Sequence, residues 1–151
     1  MNSEEVSGRD IRLVAMNYLA RREHSSLELC QKLSRRFPND LEKINVEVGR
    51  LRDEGLQSDM RLAEAFIRAR SNRGQGPAKI LKELQAKGLS DFEINSSFEE
   101  IGVDWFVLVE EVAYKKFGSL LEQDNDLHLR ARVTRFLQQR GFSYDHIASL
   151  Y

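Results

Sequence analysis

The fold is decided by a motif that first reads Leu29-Cys-Gln-Lys-Leu33-Ser-Arg-Arg-Phe37 and then occurs twice more. The later copies are Ile80-Leu-Lys-Glu-Leu84-Gln-Ala-Lys-Gly88-Leu89 and Val133-Thr-Arg-Phe-Leu137-Gln-Gln-Arg-Gly141-Phe142. The central leucines of the three copies lie 51 and 53 residues apart. Self-similarity at this period indicates a tandem array of small helical units. Such arrays typically present an extended surface to a partner rather than a catalytic pocket.

Helix signals between the motif copies divide the 151 residues into nine predicted helices, three in each unit. Ser25-Ser-Leu-Glu28 and Ser90-Asp-Phe-Glu93 are capping boxes that start helices. The residues from Ser119 to Asp124 form the longest loop-like stretch. We therefore predict an all-α fold of three tandem, helix-turn-helix-like three-helix repeats that form an elongated array. The predicted repeats are residues 1–57, 58–102 and 103–151.

The inward face of each helix follows from apolar residues at helical spacing. In the helix that Ser58 starts, this spacing predicts Leu62, Phe66 and Ala69 on the inner face. In the last long helix it predicts Leu129, Val133, Phe136 and Leu137.

Bulk composition indicates a cytoplasmic chain. No apolar run reaches the roughly 18 residues that a membrane helix needs. The first six residues carry neither the basic nor the apolar part of an export signal. One cysteine, Cys30, excludes an internal disulfide, as expected in a reducing compartment.

The net charge is −1, but the charges are distributed in bands. Bases dominate from Arg61 to Lys87 and again from Lys115 to Arg140, whereas residues 91–111 contain seven acidic residues and no basic one. Such bands create one basic and one acidic face if they align in space. Ordinary solvated helix faces produce the same pattern, and the bands alone do not decide between the two.

Candidates for catalysis are few. His24, His128 and His146 are scattered, and none has a second metal ligand at the usual spacing. Cys30 lies within an apolar motif, where a packed thiol is the better interpretation. The stretch Gly74-Gln-Gly-Pro77 lacks the lysine and hydroxyl residue of a phosphate loop, so it is interpreted as a turn between helices. We predict no enzyme, no metal site and no cofactor.

Basic helix faces are the remaining feature with binding chemistry. Guanidinium and ammonium groups at helical spacing contact either a phosphate backbone or an acidic protein groove. The candidate contact residues are Arg68, Arg70, Arg73, Lys79 and Lys82 in the middle unit, and Arg132, Arg135 and Arg140 in the last unit. For each residue alone, a solvated helix face remains the alternative interpretation.

At these residues the chain resembles the RecX family of bacterial regulatory proteins. Three segments carry the resemblance and occur in the same order over nearly the whole length. They are Ala20-Arg-Arg-Glu-His-Ser25 with Leu27-Glu-Leu29 and Lys32-Leu33, Arg73-Gly-Gln-Gly-Pro77 with Ile80 and Glu83-Leu84, and Arg135-Phe-Leu-Gln-Gln-Arg-Gly-Phe142 with Ile147.

The resemblance implies three tandem three-helix repeats and a protein that binds the RecA recombinase. Members of the family are thought to lie in the groove of the RecA–DNA filament and to limit its growth or promote its disassembly. They thereby dampen strand exchange, ATPase and co-protease activity in DNA repair, recombination and the SOS response. We expect a monomer whose partner is the RecA filament, with single- or double-stranded DNA contacted inside that filament. The alternative is a helix-turn-helix DNA-binding protein that acts without RecA.

Overall fold

The computed structural model describes residues 5–123 and 126–151. In these ranges the chain forms nine α-helices and one short 3-10 helix, and no strand is present. The all-α prediction is confirmed. The helices are α1 (Gly8–Arg21), α2 (Ser26–Arg36), α3 (Leu41–Asp53), α4 (Asp59–Asn72), α5 (Pro77–Ala86), α6 (Asp91–Ile101), α7 (Trp105–Phe117), the 3-10 helix (Gly118–Glu122), α8 (Leu127–Gln139) and α9 (Tyr144–Ala148).

Capping side chains define where the helices begin. The Ser25 hydroxyl accepts a hydrogen bond from the Glu28 amide at 3.1 Å, and the Glu28 carboxylate accepts one from the Ser25 amide at 2.9 Å. Ser90 and Glu93 repeat this arrangement at the start of α6. Both predicted capping boxes are therefore confirmed, and each satisfies backbone N–H groups that the helix leaves without partners.

Three separate apolar cores lie along the chain, one for each consecutive set of three helices. We call α1–α3, α4–α6 and α7–α9 the first, second and third unit. All the helix pairs that pack extensively lie within one unit. The motif residues point into these cores and are at most 3% exposed: Leu33, Leu84, Leu137, Ile44, Ile94 and Ile147. The fold is thus a tandem array of three-helix units, while the exact repeat boundaries stay predictions.

Two local predictions were wrong. In α4, Ala69 is exposed and does not lie on the inner face, whereas the half-buried Phe66 does pack against the second core beside Leu62. Ala63 and Ile67 are fully buried there and were not predicted. Because α4 has apolar residues on more than one side, spacing alone did not identify the inner face. The stretch from Ser119 to Asp124, predicted to be a loop, is mostly helical, because the 3-10 helix Gly118–Glu122 occupies most of it. Asp124 lies outside the described residues. Residues 1–4, on which the export-signal prediction partly rests, also lie outside them.

The predicted inner face of α8 is confirmed, because Leu129, Val133 and Leu137 are buried and Phe136 packs against the same core. Within the described ranges, no helix has both the length and the apolar character that crossing a membrane requires.

The first and second units are joined by side chains. The Asp59 carboxylate of α4 accepts a hydrogen bond from the Ser26 amide at 2.8 Å. The buried Gln57 amide donates to the His24 carbonyl at 3.1 Å, and Arg61 forms an ion pair with Glu23 at 2.9 Å. Polar groups from both units therefore fix how α4 follows the first core.

The second and third units are joined backbone to backbone. The Gly76 amide donates to the Arg140 carbonyl at 2.7 Å, and the Ala78 amide donates to the Gly141 carbonyl at 2.9 Å. A Cβ atom on Gly76 would lie 2.5 Å from the Gly141 oxygen and the Phe142 nitrogen. The turn before α5 thus docks directly on the turn between α8 and α9, at a distance that only glycine permits.

Candidate interaction groove

One depression lies where the first unit meets the second, and its volume is about 390 Å³. The ring of Phe66, which is contributed by α4, lines it. The Arg70 guanidinium lies 4.6 Å from the ring centroid and the Lys87 ammonium lies 5.2 Å from it. Arg22 of the first unit and Arg73 complete the basic lining, with Glu23 as the acidic member. Cations over an aromatic face are attracted by its negative quadrupole, which holds them in place.

A second depression of about 460 Å³ lies where the second unit meets the third. It repeats the same construction around Phe136 of α8. The Lys116 ammonium is 5.5 Å and the Arg140 guanidinium 5.1 Å from the Phe136 ring centroid. Lys115 also lines this depression, and Glu111 is its acidic residue.

Arg73, the C-cap residue of α4, lines both depressions. We call the combined surface the Arg73 groove. Its basic residues are Arg22, Arg70, Arg73, Lys87, Lys115, Lys116 and Arg140. All three units contribute to it, so part of the charge banding in the sequence does become a basic surface.

Partly buried carboxylates, Glu28 and Glu83, orient the cations of the first depression. Glu28 accepts hydrogen bonds from Arg22 at 3.1 Å and from Lys87 at 2.9 Å. Burial alone would raise the pKa of Glu28, but the hydrogen bonds from Arg22, the Ser25 amide and Lys87 outweigh it and lower that pKa to about 2. Arg70 lies 3.6 Å from the Glu83 carboxylate. These contacts neutralise part of the charge and restrict the positions of Arg22, Lys87 and Arg70.

The backbone of the second unit positions Arg140 of the third. Its Nη1 donates to the Arg73 carbonyl at 3.2 Å. Gly74, next along the chain, has a φ of +84°, which favours glycine, and a Cβ there would lie 3.0 Å from Val112. The predicted turn at Gly74–Pro77 is confirmed, but Gly76 has a φ of −85° and is required for close approach instead.

The eight predicted contact residues are only partly brought together. Arg70, Arg73 and Arg140 lie in the groove. The others are exposed and do not line it: Arg68, Lys79, Lys82, Arg132 and Arg135. The candidate list did not contain Arg22, Lys87, Lys115 and Lys116, because their proximity to Arg73 depends on how the helices and successive units dock.

The histidines and the cysteine do not form a reactive site in the described part of the chain, where no three His, Cys, Asp or Glu side chains group as metal ligands. His24 is buried, with Nδ1 3.0 Å from the Arg22 carbonyl and Nε2 2.8 Å from the Lys32 ammonium. Burial lowers the pKa of His24, so the neutral ring accepts from Lys32. Burial raises the pKa of the Cys30 thiol, which disfavours the nucleophilic thiolate.

Family profiles, curated relatives and solved structures all point to the same family. Profiles described as the second and the third three-helix domain of RecX match residues 58–96 and 104–150. The chain is 46% identical to "Regulatory protein RecX" of Pseudomonas entomophila over 93% of its own length and 88% of the relative's. It is 37% identical to the protein of that name from Halorhodospira halophila, over 97% and 89%. The crystal structure of RecX from Lactobacillus salivarius superposes with a TM-score of 0.80 at 25% identity, covering 95% of this chain and 93% of that one.

Proposed function

This chain belongs to the RecX family of regulatory proteins, and from that premise we propose that it binds the RecA nucleoprotein filament through the Arg73 groove. Bound there, it mainly inhibits the recombinase, ATPase and co-protease activities of RecA. It acts by occupancy in the cytoplasm, as a monomer, without catalysis and without a cofactor. The observation that carries the proposal is that two depressions with Arg73 in common are lined by cations from all three units.

A groove of this kind suits a long, repetitive partner. Its cations are already oriented by Phe66, Phe136 and Glu28, so little side-chain entropy is lost when they bind. The guanidinium group of an arginine can donate two parallel hydrogen bonds to the two oxygens of a carboxylate or phosphate. Weak contacts from several units on one chain add up through avidity, because each later contact is intramolecular. An acidic surface or DNA inside the filament provides the matching charge.

The test is a double charge reversal at the centre of the groove, Arg70→Glu with Arg73→Glu. We expect the variant to inhibit the DNA-dependent ATPase of RecA at least about tenfold more weakly, since two charge-assisted contacts become repulsive. The matched control is Arg35→Glu, an exposed arginine of α2 outside the groove. Its inhibition should equal that of the unaltered chain. Circular dichroism must show unchanged helicity in both variants, and unchanged inhibition by the double variant would reject this role of the groove.

The alternative function, a DNA-binding protein that acts without RecA, is favoured by the same phosphate-binding chemistry. Binding isotherms at two salt concentrations separate the two functions. Contact with several phosphates on bare DNA produces a steep fall of affinity with salt. A steep slope together with no gain in affinity when RecA coats the DNA supports the alternative. Tighter binding to the RecA-coated strand supports the proposed function.

A further inference from the structure

A second surface lies on α7, on a different side of the helix from the Arg73 groove. Phe106, Val107 and Tyr114 are 51%, 48% and 64% exposed. Phe106, Glu110 and Tyr114 follow one another at intervals of four residues, and Val107 lies seven residues before Tyr114, so all four side chains share one stripe. We call Phe106, Val107 and Tyr114 the α7 stripe. Leu108, Glu111 and Lys115, by contrast, line the groove.

The stripe is packed at one end and carries carboxylates at that end and between its apolar side chains. The Phe106 ring packs edge-on against His146 of α9, with the ring centroids 4.8 Å apart and an interplanar angle of 82°. Asp104, which caps α7, lies at one end, and Glu110 lies between the apolar side chains. Phe106 and Val107 fall within the acidic band of residues 91–111, which has no basic residue, and Tyr114 lies three residues beyond it. Exposed apolar groups that line one helix face and are rimmed by charge are typical of an interaction surface.

We infer that the α7 stripe is a protein-docking surface, and that its occupant is an apolar patch rimmed by lysine or arginine on the protein subunits of the filament. This inference rests on the proposed function, because it takes the filament as the partner. Charge complementarity selects the occupant. Phosphates of DNA would be repelled by Asp104 and Glu110 and would leave three apolar side chains uncovered. A second copy of the chain docked stripe to stripe would place the same carboxylates opposite each other.

On this proposal the chain binds its partner through two surfaces of different chemistry. The Arg73 groove binds acidic groups or phosphate, and the α7 stripe binds protein. Mutations in the stripe should affect binding to RecA protein, whereas they should not affect binding to bare DNA. The proposed role of the stripe can therefore be tested with the whole chain.

The experiment measures binding of the fluorescently labelled chain to bare single-stranded DNA, to free RecA and to RecA filaments. The test variant is Val107→Ala with Tyr114→Ala, which removes exposed side chains and leaves the Phe106–His146 contact intact. The matched control is Leu127→Ala at the start of α8, where the side chain is 76% exposed. A second variant, Glu110→Lys, reverses the charge that lies between the apolar side chains without removing apolar surface.

We expect about tenfold weaker binding of the test variant to filaments and to free RecA, as for the loss of interface anchors. Glu110→Lys should weaken both as well, whereas Leu127→Ala should bind like the unaltered chain. Binding to bare DNA should stay the same in the test variant. An equal loss in Leu127→Ala, a parallel loss on bare DNA, or filament affinity within twofold of the unaltered chain would overturn the inference and leave the proposed function standing. If the unaltered chain itself does not bind filaments, the proposed function fails and the inference fails with it.

Discussion

Replacing Gly76 with alanine tests how the second and third units are joined. The φ of Gly76 is −85° and its ψ is 170°, values that alanine adopts without strain. The cost of Gly76→Ala therefore comes from contact alone. The new Cβ would lie 2.5 Å from the Gly141 oxygen and the Phe142 nitrogen. Both are backbone atoms, so no side chain can rotate away, and the two turns must separate.

Separation of the turns breaks two short hydrogen bonds, from Gly76 to Arg140 and from Ala78 to Gly141. Each backbone bond contributes about 1 kcal/mol net, and overpacking that shifts backbone costs about 1–3 kcal/mol. Because the relaxation that relieves the clash is what breaks the bonds, the two costs overlap. We expect the free energy of unfolding to fall by about 2–4 kcal/mol.

Urea unfolding followed by circular dichroism measures this loss. The control is Gly49→Ala in the interior of α3, where the nearest atom to a new Cβ is the flexible Arg52 Nη2 at 3.7 Å. Alanine is the better helix former, so the control should gain about 0.5–1 kcal/mol. A Gly76→Ala protein as stable as the unaltered chain would refute the docking of the two turns. The same variant should bind RecA filaments more weakly, since Arg73 and Arg140 are displaced from each other.

Three further predictions concern the Glu28 ion pairs at the junction of the first and second units, the buried His24 and the second core. Glu28 has a pKa of about 2 against an ordinary 4.5, so its contribution to stability is present above about pH 4.5 and is lost as the pH falls toward 2. This pKa shift corresponds to ~3 kcal/mol of stability, and solvent screening at the half-exposed Arg22 reduces the expected contribution to ~1–2 kcal/mol. In Glu28→Gln the free energy of unfolding should therefore depend less on pH between about 2 and 4.5. A pH dependence equal to that of the unaltered chain would contradict the ionic role of Glu28. Because burial lowers the pKa of His24 from 6.5, the unfolded chain takes up a proton first, and the free energy of unfolding should fall as the pH drops below about 6.5. Burial also lowers the pKa of His146, so His24→Gln should reduce that fall without abolishing it, and an unchanged fall in urea unfolding would contradict the role of His24. Leu84→Ala empties a fully buried position and should cost about 2–5 kcal/mol in urea unfolding, whereas a loss below 1 kcal/mol would contradict its place in the second core.

The repeat was predictable from the sequence because it depends on local periodicity. Leu33, Leu84 and Leu137 occupy the same place in each motif, and a helix that buries one face must bury them. Capping boxes are equally local, since Ser25 and Glu28 are only three residues apart. These features need no knowledge of how one unit packs on the next.

The groove was not predictable in the same way because its members lie far apart in sequence. Lys87 reaches Glu28 of another unit, and Arg140 reaches the Arg73 carbonyl across 67 residues. The sequence showed that Arg73 was basic and near a turn, but not that Arg22 would share a depression with it. Gly76 illustrates the same limit, since its φ is ordinary and only the docked turn reveals why glycine is needed there.

The most direct test of filament binding through the Arg73 groove is backbone hydrogen exchange of the full chain, alone and bound to RecA filaments on single-stranded DNA. We predict slower exchange on binding for the amides of residues 70–78 and 114–117, which border the groove and the α7 stripe. The amides of α3, no residue of which lines the groove or belongs to the α7 stripe, should exchange at unchanged rates. No protection at saturating filament, or the same protection with bare DNA as with filament, would contradict the account.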